Sequence, residues 1–337
     1  MVAASRHFVD FPELLEKSGR YVADLLGVEA AWITSGAAAG LTLSTAACIT
    51  GTDPAKIQQL PYLDGLKNEV LIQKSHRNGY DHAIRQVGVE MVEFGMIKET
   101  RAWEMRAAIT ERTAAVAYFP EFENYRNLPL DQVIAVAHEA GLPVIVDASA
   151  EIPPVENLTR FTRMGADLTA FSGGKDICGP QSSGLILGRA DLIKACGMNT
   201  SPHYSIGRPM KVGKEEIAGL ITALEYWLKQ DFAAEEQMWE DMVATIVAML
   251  ANVPGLHARR ASPGEPGIQP HWIPRVYPDW DETVILLSRE EVKHRLRLGT
   301  PSIAVGTSST GLFVNPQTLQ PGQETIVAER LRELFLL

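Results

Sequence analysis

The chain has 337 residues, 46% hydrophobic and 21% charged, with 31 Lys+Arg against 41 Asp+Glu and a net charge of −10. This composition excludes a disordered or fibrous chain, and an acidic balance with no dense basic run weighs against a nucleic-acid partner. Cys48, Cys178 and Cys196 lack CxxC or paired spacing, which argues against a disulfide framework or a zinc site, and the apolar stretches end well before the ~18 residues of a membrane span.

With that cysteine usage a reduced cytoplasm is the default, and the start MVAASRHFVDF shows no basic-then-apolar leader pattern. Short β-rich runs then alternate with helix-length segments. The first run, Ala31–Thr34, leads into Thr34-Ser35-Gly36-Ala37-Ala38-Ala39-Gly40 and a helix over Leu41–Thr50. Small residues at such a turn let backbone N–H groups approach an anion. They equally let a helix sit close on a sheet, and the turn alone decides neither. The second run, Glu69–Lys74, ends in Ser75-His76-Arg77-Asn78-Gly79-Tyr80-Asp81-His82. His76 at the strand end can lie flat on a ligand ring, while Asn78 or Asp81 can cap a helix over Ala83–Gln86. Metal binding by His76 and His82 lacks a third ligand at matching spacing.

Val89–Phe94 and Ala114–Phe119 follow, with a helix over Trp103–Glu111 between them. The next helix, Leu130–Ala140, starts after Pro129, carries Val133, Val136 and Ala137 on one face and stops at Gly141. Pro143–Asp147 sets a carboxylate at the end of a buried strand, which costs energy unless it meets a cation or donors. Ala148-Ser149-Ala150 leave room there for a flat ligand. Leu168–Phe171 runs into Ser172-Gly173-Gly174-Lys175-Asp176. A lysine in such a loop can be close-packed, desolvated and nucleophilic toward carbonyls, although a single loop lysine is more often simply exposed. Gly184–Gly188 follows across a loop, not a helix. The near-continuous apolar runs and the βαβ alternation predict an α/β fold with a mainly parallel, seven-stranded sheet.

Beyond Gly188 the pattern changes. Lys214–Leu250 reads as long helix, with Ile217, Leu220, Ile221, Leu224 and Leu228 on one stripe and a break near Asp231–Phe232. A Pro/Gly-rich patch, Ala261–Gln269, precedes strands over Glu282–Leu287, Ser302–Val305 and Gly311–Val314 and helices over Arg289–Leu298 and Gln323–Leu336. The expected division is an N-terminal helix and arm over 1–29, a large domain over 30–240 and a small α+β domain over 241–337.

The strings ITSGAAAG, QKSHRNGYDHAIRQVG, VDASAE, FSGGKDICGPQSSGLILGR and GRPMKVGKEEIAGLITALEYW together resemble the fold type I (aspartate aminotransferase-like) enzymes that use pyridoxal 5′-phosphate. Within that fold they look like the selenocysteine synthase branch, and most like its D-glucosaminate-6-phosphate ammonia-lyase group. The resemblance runs from about residue 5 to the C-terminus and is strongest over Ala30–Leu228. It implies that Lys175 joins the cofactor covalently and moves protons, that Asp147 pairs with the pyridine nitrogen and that His76 stacks on the ring. It implies further that Ser35, Gly36, Ala37 and Ser172 hold the phosphate and that Ser149 lies near the ring. Arg77, Tyr80, Arg208, Lys211 and Lys214 are taken as substrate contacts, the cations from basic clustering, and no metal is expected.

The implied activity is α,β-elimination of ammonia from an amino acid or amino-sugar acid by a cytoplasmic homodimer or larger homo-oligomer. Selenium transfer onto seryl-tRNA, racemisation, transamination and aldol cleavage use the same cofactor parts. A non-catalytic binding protein on this fold is the different-class alternative, and Lys175, Asp147 and His76 together disfavour it. Such relatives usually carry further residues upstream, so a displaced start or a shortened form is expected. Ala150 has a methyl where desulfurase-like relatives have Gln or His, and Arg295 and Arg297 are candidates for the substrate carboxylate.

Overall fold

Seven apolar runs form one sheet in the computed structural model, which describes residues 1–264, 270, 272–309 and 311–336. They are β1 (Ala30–Thr34), β2 (Glu69–Gln73), β3 (Glu90–Phe94), β4 (Thr113–Tyr118), β5 (Val144–Asp147), β6 (Leu168–Ser172) and β7 (Gly184–Gly188), in spatial order β1-β7-β6-β5-β4-β2-β3. Strands β3, β2, β4, β5 and β6 are mutually parallel, and β7 runs antiparallel to both β6 and β1. The antiparallel turn has a simple cause. A parallel crossover needs a dozen or more residues, usually a helix, and the 173–183 connection is a loop. Strands β2, β4, β5 and β7 are buried at every position, as strands covered on both faces must be.

The helix Ala37–Thr50 lies against the middle of this sheet and buries 11 of its 14 residues. Gly40 explains the fit: a Cβ there would sit 3.3 Å from Ala170 Cβ and 3.3 Å from Ile186 Cγ1. The helix Phe11–Leu26 begins at Asp10, whose side chain accepts from Glu13 N at 2.9 Å, and ends at Gly27 with φ +64°. Its Gly19 rests directly against Ala31 O of β1. Residues 1–29 are therefore part of the large unit and not a separate arm.

The chain divides into units Met1–Lys229 and Gln230–Leu337, so the boundary lies earlier than position 240. The long helical stretch stops at Trp227, and Asp231 caps a new helix, Phe232–Leu250, by accepting from Ala234 N at 3.0 Å. Val243, Ile246 and Leu250 of that helix join the core of the second unit. This unit holds two short antiparallel pairs, β8 (Leu256–Ala261) with β9 (Arg275–Trp280) and β10 (Gly306–Ser308) with β11 (Gly311–Phe313). The helices Arg289–Leu298 and Gln323–Phe335 fall where the sequence places them.

Two expected strands are absent. Residues 282–287 follow a turn closed on Asp281, whose carboxylate accepts from Thr283 N at 2.8 Å and whose carbonyl accepts from Val284 N at 3.0 Å. Residues 302–305 are irregular, and β10 begins after them. Strands β8 and β9 escaped notice because LHARRA and RVYPDW mix charge and proline into their pattern. Of the expected Pro/Gly patch, residues 265–269 lie outside the described residues. Among the described residues, no helix is long and apolar enough to cross a membrane.

Candidate active site

Strand β1 is antiparallel to β7, and β7 to β6, so β1, β2, β4, β5 and β6 all end at one edge of the sheet. Ligands of open α/β sheets bind beyond that carboxyl edge. The turn after β1 is held by Thr34 Oγ1, which donates to Gly36 O at 2.8 Å. Gly36 has φ +144°, a conformation L side chains rarely adopt, and a Cβ there would meet nothing within 4 Å. No side chain caps the helix that follows. Its first-turn N–H groups and positive dipole end thus remain for an anion. Gly40 serves close packing, while Gly36 leaves open space at the turn.

Gly184 of β7 supports this turn from beneath. A Cβ there would stand 2.6 Å from Gly36 C, 2.8 Å from Phe171 O and 2.9 Å from Ala37 N. All three are backbone atoms and cannot swing aside. Gly184→Ala should therefore shift the turn and destabilise the chain by about 1–3 kcal/mol, the usual cost of overpacking. Urea unfolding at equal slope measures this, and an unchanged midpoint would disprove the contact.

Ser35 Oγ donates to Met210 O at 3.1 Å, which brings the 208–211 segment alongside the turn. Arg208 and Lys211, both exposed, flank Met210. The other expected substrate contacts are not so placed. Arg77 is bound to Asp81 at 2.5 Å and Glu93 at 2.6 Å, and buried Asp81 is also held by Arg85 at 2.8 Å. Arg77 is thus committed to an internal ion-pair network instead of a ligand. Lys214 Nζ donates to Ala4 O at 2.8 Å and pairs with Glu215 at 2.5 Å. Tyr80 is exposed, its N–H bonded to Asn78 Oδ1 at 2.7 Å; Asn78 thus caps the short turn Gly79–Asp81 and not the expected helix, which spans His82–Arg85 and has no side-chain cap.

Asp147, 9% exposed, ends β5 and accepts from Ser149 N at 3.0 Å. Burial raises its pKa, while the Ser149 hydrogen bonds and the charge of Lys175 pull it back. Lys175 sits in the loop after β6. Gly173 N donates to Ser183 O at 2.9 Å, Gly179 N to Gly173 O at 2.8 Å and Cys178 N to Lys175 O at 2.9 Å. Trp227 Nε1 holds Asp176 at 2.8 Å. A Cβ on Gly174 would lie 2.7 Å from Gln181 Cα, so the loop needs its glycines. The lysine side chain is exposed, not close-packed as a desolvated amine would be. Ser172 is half-buried at the end of β6.

His76 departs from its expected role as an open stacking face. It is 0% exposed, with its ring edge-on to Tyr118 at 4.7 Å. Its Nδ1 accepts from Phe119 N at 3.3 Å, and its Nε2 lies 2.8 Å from the Asn127 amide. Burial lowers its pKa to about 3, so the ring is neutral. The Asn127 amide nitrogen also donates to Phe122 O at 2.8 Å, and its oxygen accepts from Ser75 Oγ at 3.2 Å. The segment from Phe119 to Asn127 closes over the imidazole.

That segment carries the residues sequence reading missed. Pro120-Glu121-Phe122-Glu123 follows β4 and opens on a short helical turn, Pro120–Phe122. Glu121, half-buried, has its pKa raised by burial and by Asp147, with Lys175 opposing. Glu151 lies on the turn after Asp147, its N–H bonded to Ala148 O at 3.2 Å. Its pKa is pushed up to about 8 by burial and by Glu121, Asp147 and Glu123, against Arg160. Carboxyl groups thus gather on the edge where Lys175 stands.

Known proteins resemble this chain over most of its length. Residues 80–254 match the family described as L-seryl-tRNA selenium transferase (SelA). A 5′-C-glycyluridine monooxygenase-decarboxylase from Streptomyces sp is 36% identical over 99% of this chain and 83% of its own length. The D-glucosaminate-6-phosphate ammonia lyase of Salmonella typhimurium is 33% identical over 98% of this chain and 88% of its own. A solved D-glucosaminate-6-phosphate ammonia-lyase structure superposes with a TM-score of 0.82 at 31% identity, covering 99% of this chain and 89% of that one. The fold is that of the fold type I, aminotransferase-like enzymes.

Proposed function

The chain belongs to the L-seryl-tRNA selenium transferase (SelA) family of enzymes, and we propose that it is a pyridoxal-phosphate lyase removing ammonia from an amino acid or amino-sugar acid by α,β-elimination. One observation carries the reading: Asp147 ends β5 and Lys175 follows the neighbouring β6, on the edge where the helix Ala37–Thr50 starts without a side-chain cap. The residues fit the cofactor. The open space at Gly36 and the uncapped helix suit a phosphate. Asp147 is a buried carboxylate that a pyridinium nitrogen would satisfy.

When bound, the cofactor supplies a carbonyl that takes up amines and a ring that accepts electrons. The chain's residues do the rest. Ser35, Gly36, Ala37 and Ser172 hold the phosphate. Asp147 keeps the ring nitrogen protonated, and Ser149 N–H fixes that carboxylate. Lys175 Nζ takes the proton from the substrate Cα. Arg208 and Lys211 attract an anionic substrate, and His76 props the Phe119–Asn127 segment. A cytoplasmic homodimer or larger homo-oligomer belongs to the same proposal, and sedimentation of the purified protein tests the assembly.

The relative at 36% identity gives a second reading, oxidative decarboxylation of an amino acid on a nucleoside. Dioxygen separates the two. D-glucosaminate 6-phosphate, D-glucosaminate and β-hydroxy amino acids should release ammonia and a 2-oxo acid under anaerobic conditions. Release of carbon dioxide from 5′-C-glycyluridine only in air, with no ammonia from the panel, would replace the first reading by the second. The net charge of −10 disfavours a tRNA substrate for either.

A further inference from the structure

The helix Lys214–Trp227 reaches the candidate site at two separate places. Its lead-in meets the turn after β1, where Ser35 Oγ donates to Met210 O at 3.1 Å. Its body lies on the loop that carries Lys175. Buried Leu220 fills the space beside two glycines of that loop: a Cβ on Gly173 would stand 2.5 Å from Leu220 Cδ1, and one on Gly179 3.2 Å from it. Gly219 lets Pro180 close in, since a Cβ there would stand 2.7 Å from Pro180 Cγ. At the helix end Trp227, 1% exposed, donates from Nε1 to Asp176 Oδ2 at 2.8 Å.

The choice of acceptor is informative. A buried indole N–H needs a partner, and a backbone carbonyl would serve. Here the partner is the carboxylate of the residue next to Lys175, and a bond to an ionised acceptor is roughly twice as strong as a neutral one. The backbone is thereby pinned on both sides of the lysine. Gly173 and Gly174 before it are packed against Ser183 and Gln181. After it, Asp176 is held by Trp227, and Ile177 is buried. The lysine side chain is itself exposed and, among the described residues, its amine makes no ion pair. Its direction is therefore set by its backbone and not by a side-chain partner. The amine ends a flexible four-carbon stem, so a small rotation at Cα is magnified at Nζ.

Resting on the lyase reading, the geometry points to Trp227 as a positioning residue. Through Asp176 it fixes the backbone from which Lys175 reaches the substrate Cα, and so the distance over which the proton moves. The turn that takes the phosphate and the loop that carries the lysine are set against one helix.

Trp227→Phe keeps an aromatic ring in the buried place and removes only the N–H side of the indole. Its kcat with D-glucosaminate 6-phosphate should fall by about 10- to 10²-fold, the scale of a misplacement of up to ~1 Å, with KM little changed. Asp176→Ala should fall at least as far, and the double variant should fall no further than Asp176→Ala, because both changes break one bond. Asp176→Asn keeps an acceptor oxygen for the N–H and should retain most of the rate that Asp176→Ala loses. A lower melting temperature with unchanged kcat in Trp227→Phe would overturn the assignment. So would losses that multiply in the double variant.

A second measurement needs no turnover. The rate at which visible absorption grows after pyridoxal 5′-phosphate is added to the cofactor-free protein reports on the placing of the Lys175 amine. It should be slower in Trp227→Phe and Asp176→Ala than in the wild type, and nearer the wild type in Asp176→Asn. Equal rates in all four proteins would overturn the positioning even if ammonia were released. If the rates differed while the wild type released no ammonia, the lyase reading would fail and the hold on Lys175 would stand.

Discussion

Lys175→Ala is expected to fold normally and to lose turnover by about 10³-fold or more, within the ~10²–10⁴ range for removing a positioned proton-transfer group. The fold of the loop does not depend on this side chain. Its backbone is fixed by the bonds of Gly173, Cys178 and Gly179, and by Trp227 on Asp176. The side chain itself is exposed, and such surface changes usually alter stability by no more than ~0.5 kcal/mol. A melting temperature within a degree or two of the wild type, with no ammonia release and no visible absorption after pyridoxal 5′-phosphate is added, is the predicted combination. Retained turnover in this variant would dismiss the site. Loss of folding with loss of turnover would instead show that the lysine stabilises the loop.

The position of Lys175 was legible because a lone lysine between two glycines and an aspartate follows an apolar strand, and strand ends carry chemistry in this architecture. Its environment was not. Desolvation of an amine depends on what lies across the site, and no local pattern encodes that. The strands β2, β4, β5 and β7 were legible for the same reason that they are buried at every position: both faces are covered, so their runs are almost uninterrupted. Strands β8 and β9 failed the same test, since Arg259 and Arg260 and then Pro278 and Asp279 interrupt any apolar run.

His76 marks the other limit. Its place at the end of β2 could be read, but its covering by Asn127, fifty-one positions later, is tertiary. Glu121 and Glu151 carried a readable signal, a glutamate just beyond one strand and another four residues after Asp147. Adjacency of β4 and β5 in the sheet sets both beyond the same edge.

Asp147→Asn should separate stability from function, because burial and chemistry ask opposite things of this carboxylate. Its pKa is raised above the ordinary 3.8, burial being the largest cause. The native chain therefore binds a proton at pH values where the unfolded chain has released it. Its favourable contribution is complete below pH 3.8 and is lost as pH rises through the native value. Burial penalises the ionised carboxylate, and Ser149 N–H and Lys175 offset that penalty only in part. An amide has no such charge, so cofactor-free Asp147→Asn should melt at least as high as the wild type at pH 7, with the advantage shrinking toward pH 4.

Turnover should move the other way. The amide cannot hold a protonated ring nitrogen by charge, and loss of one preorganised electrostatic contact costs about 10²–10³-fold in kcat. The two curves, melting temperature and kcat against pH for the same variant, must diverge. A variant both less stable and less active at every pH would reduce Asp147 to an anchor for the Ala148–Glu151 turn.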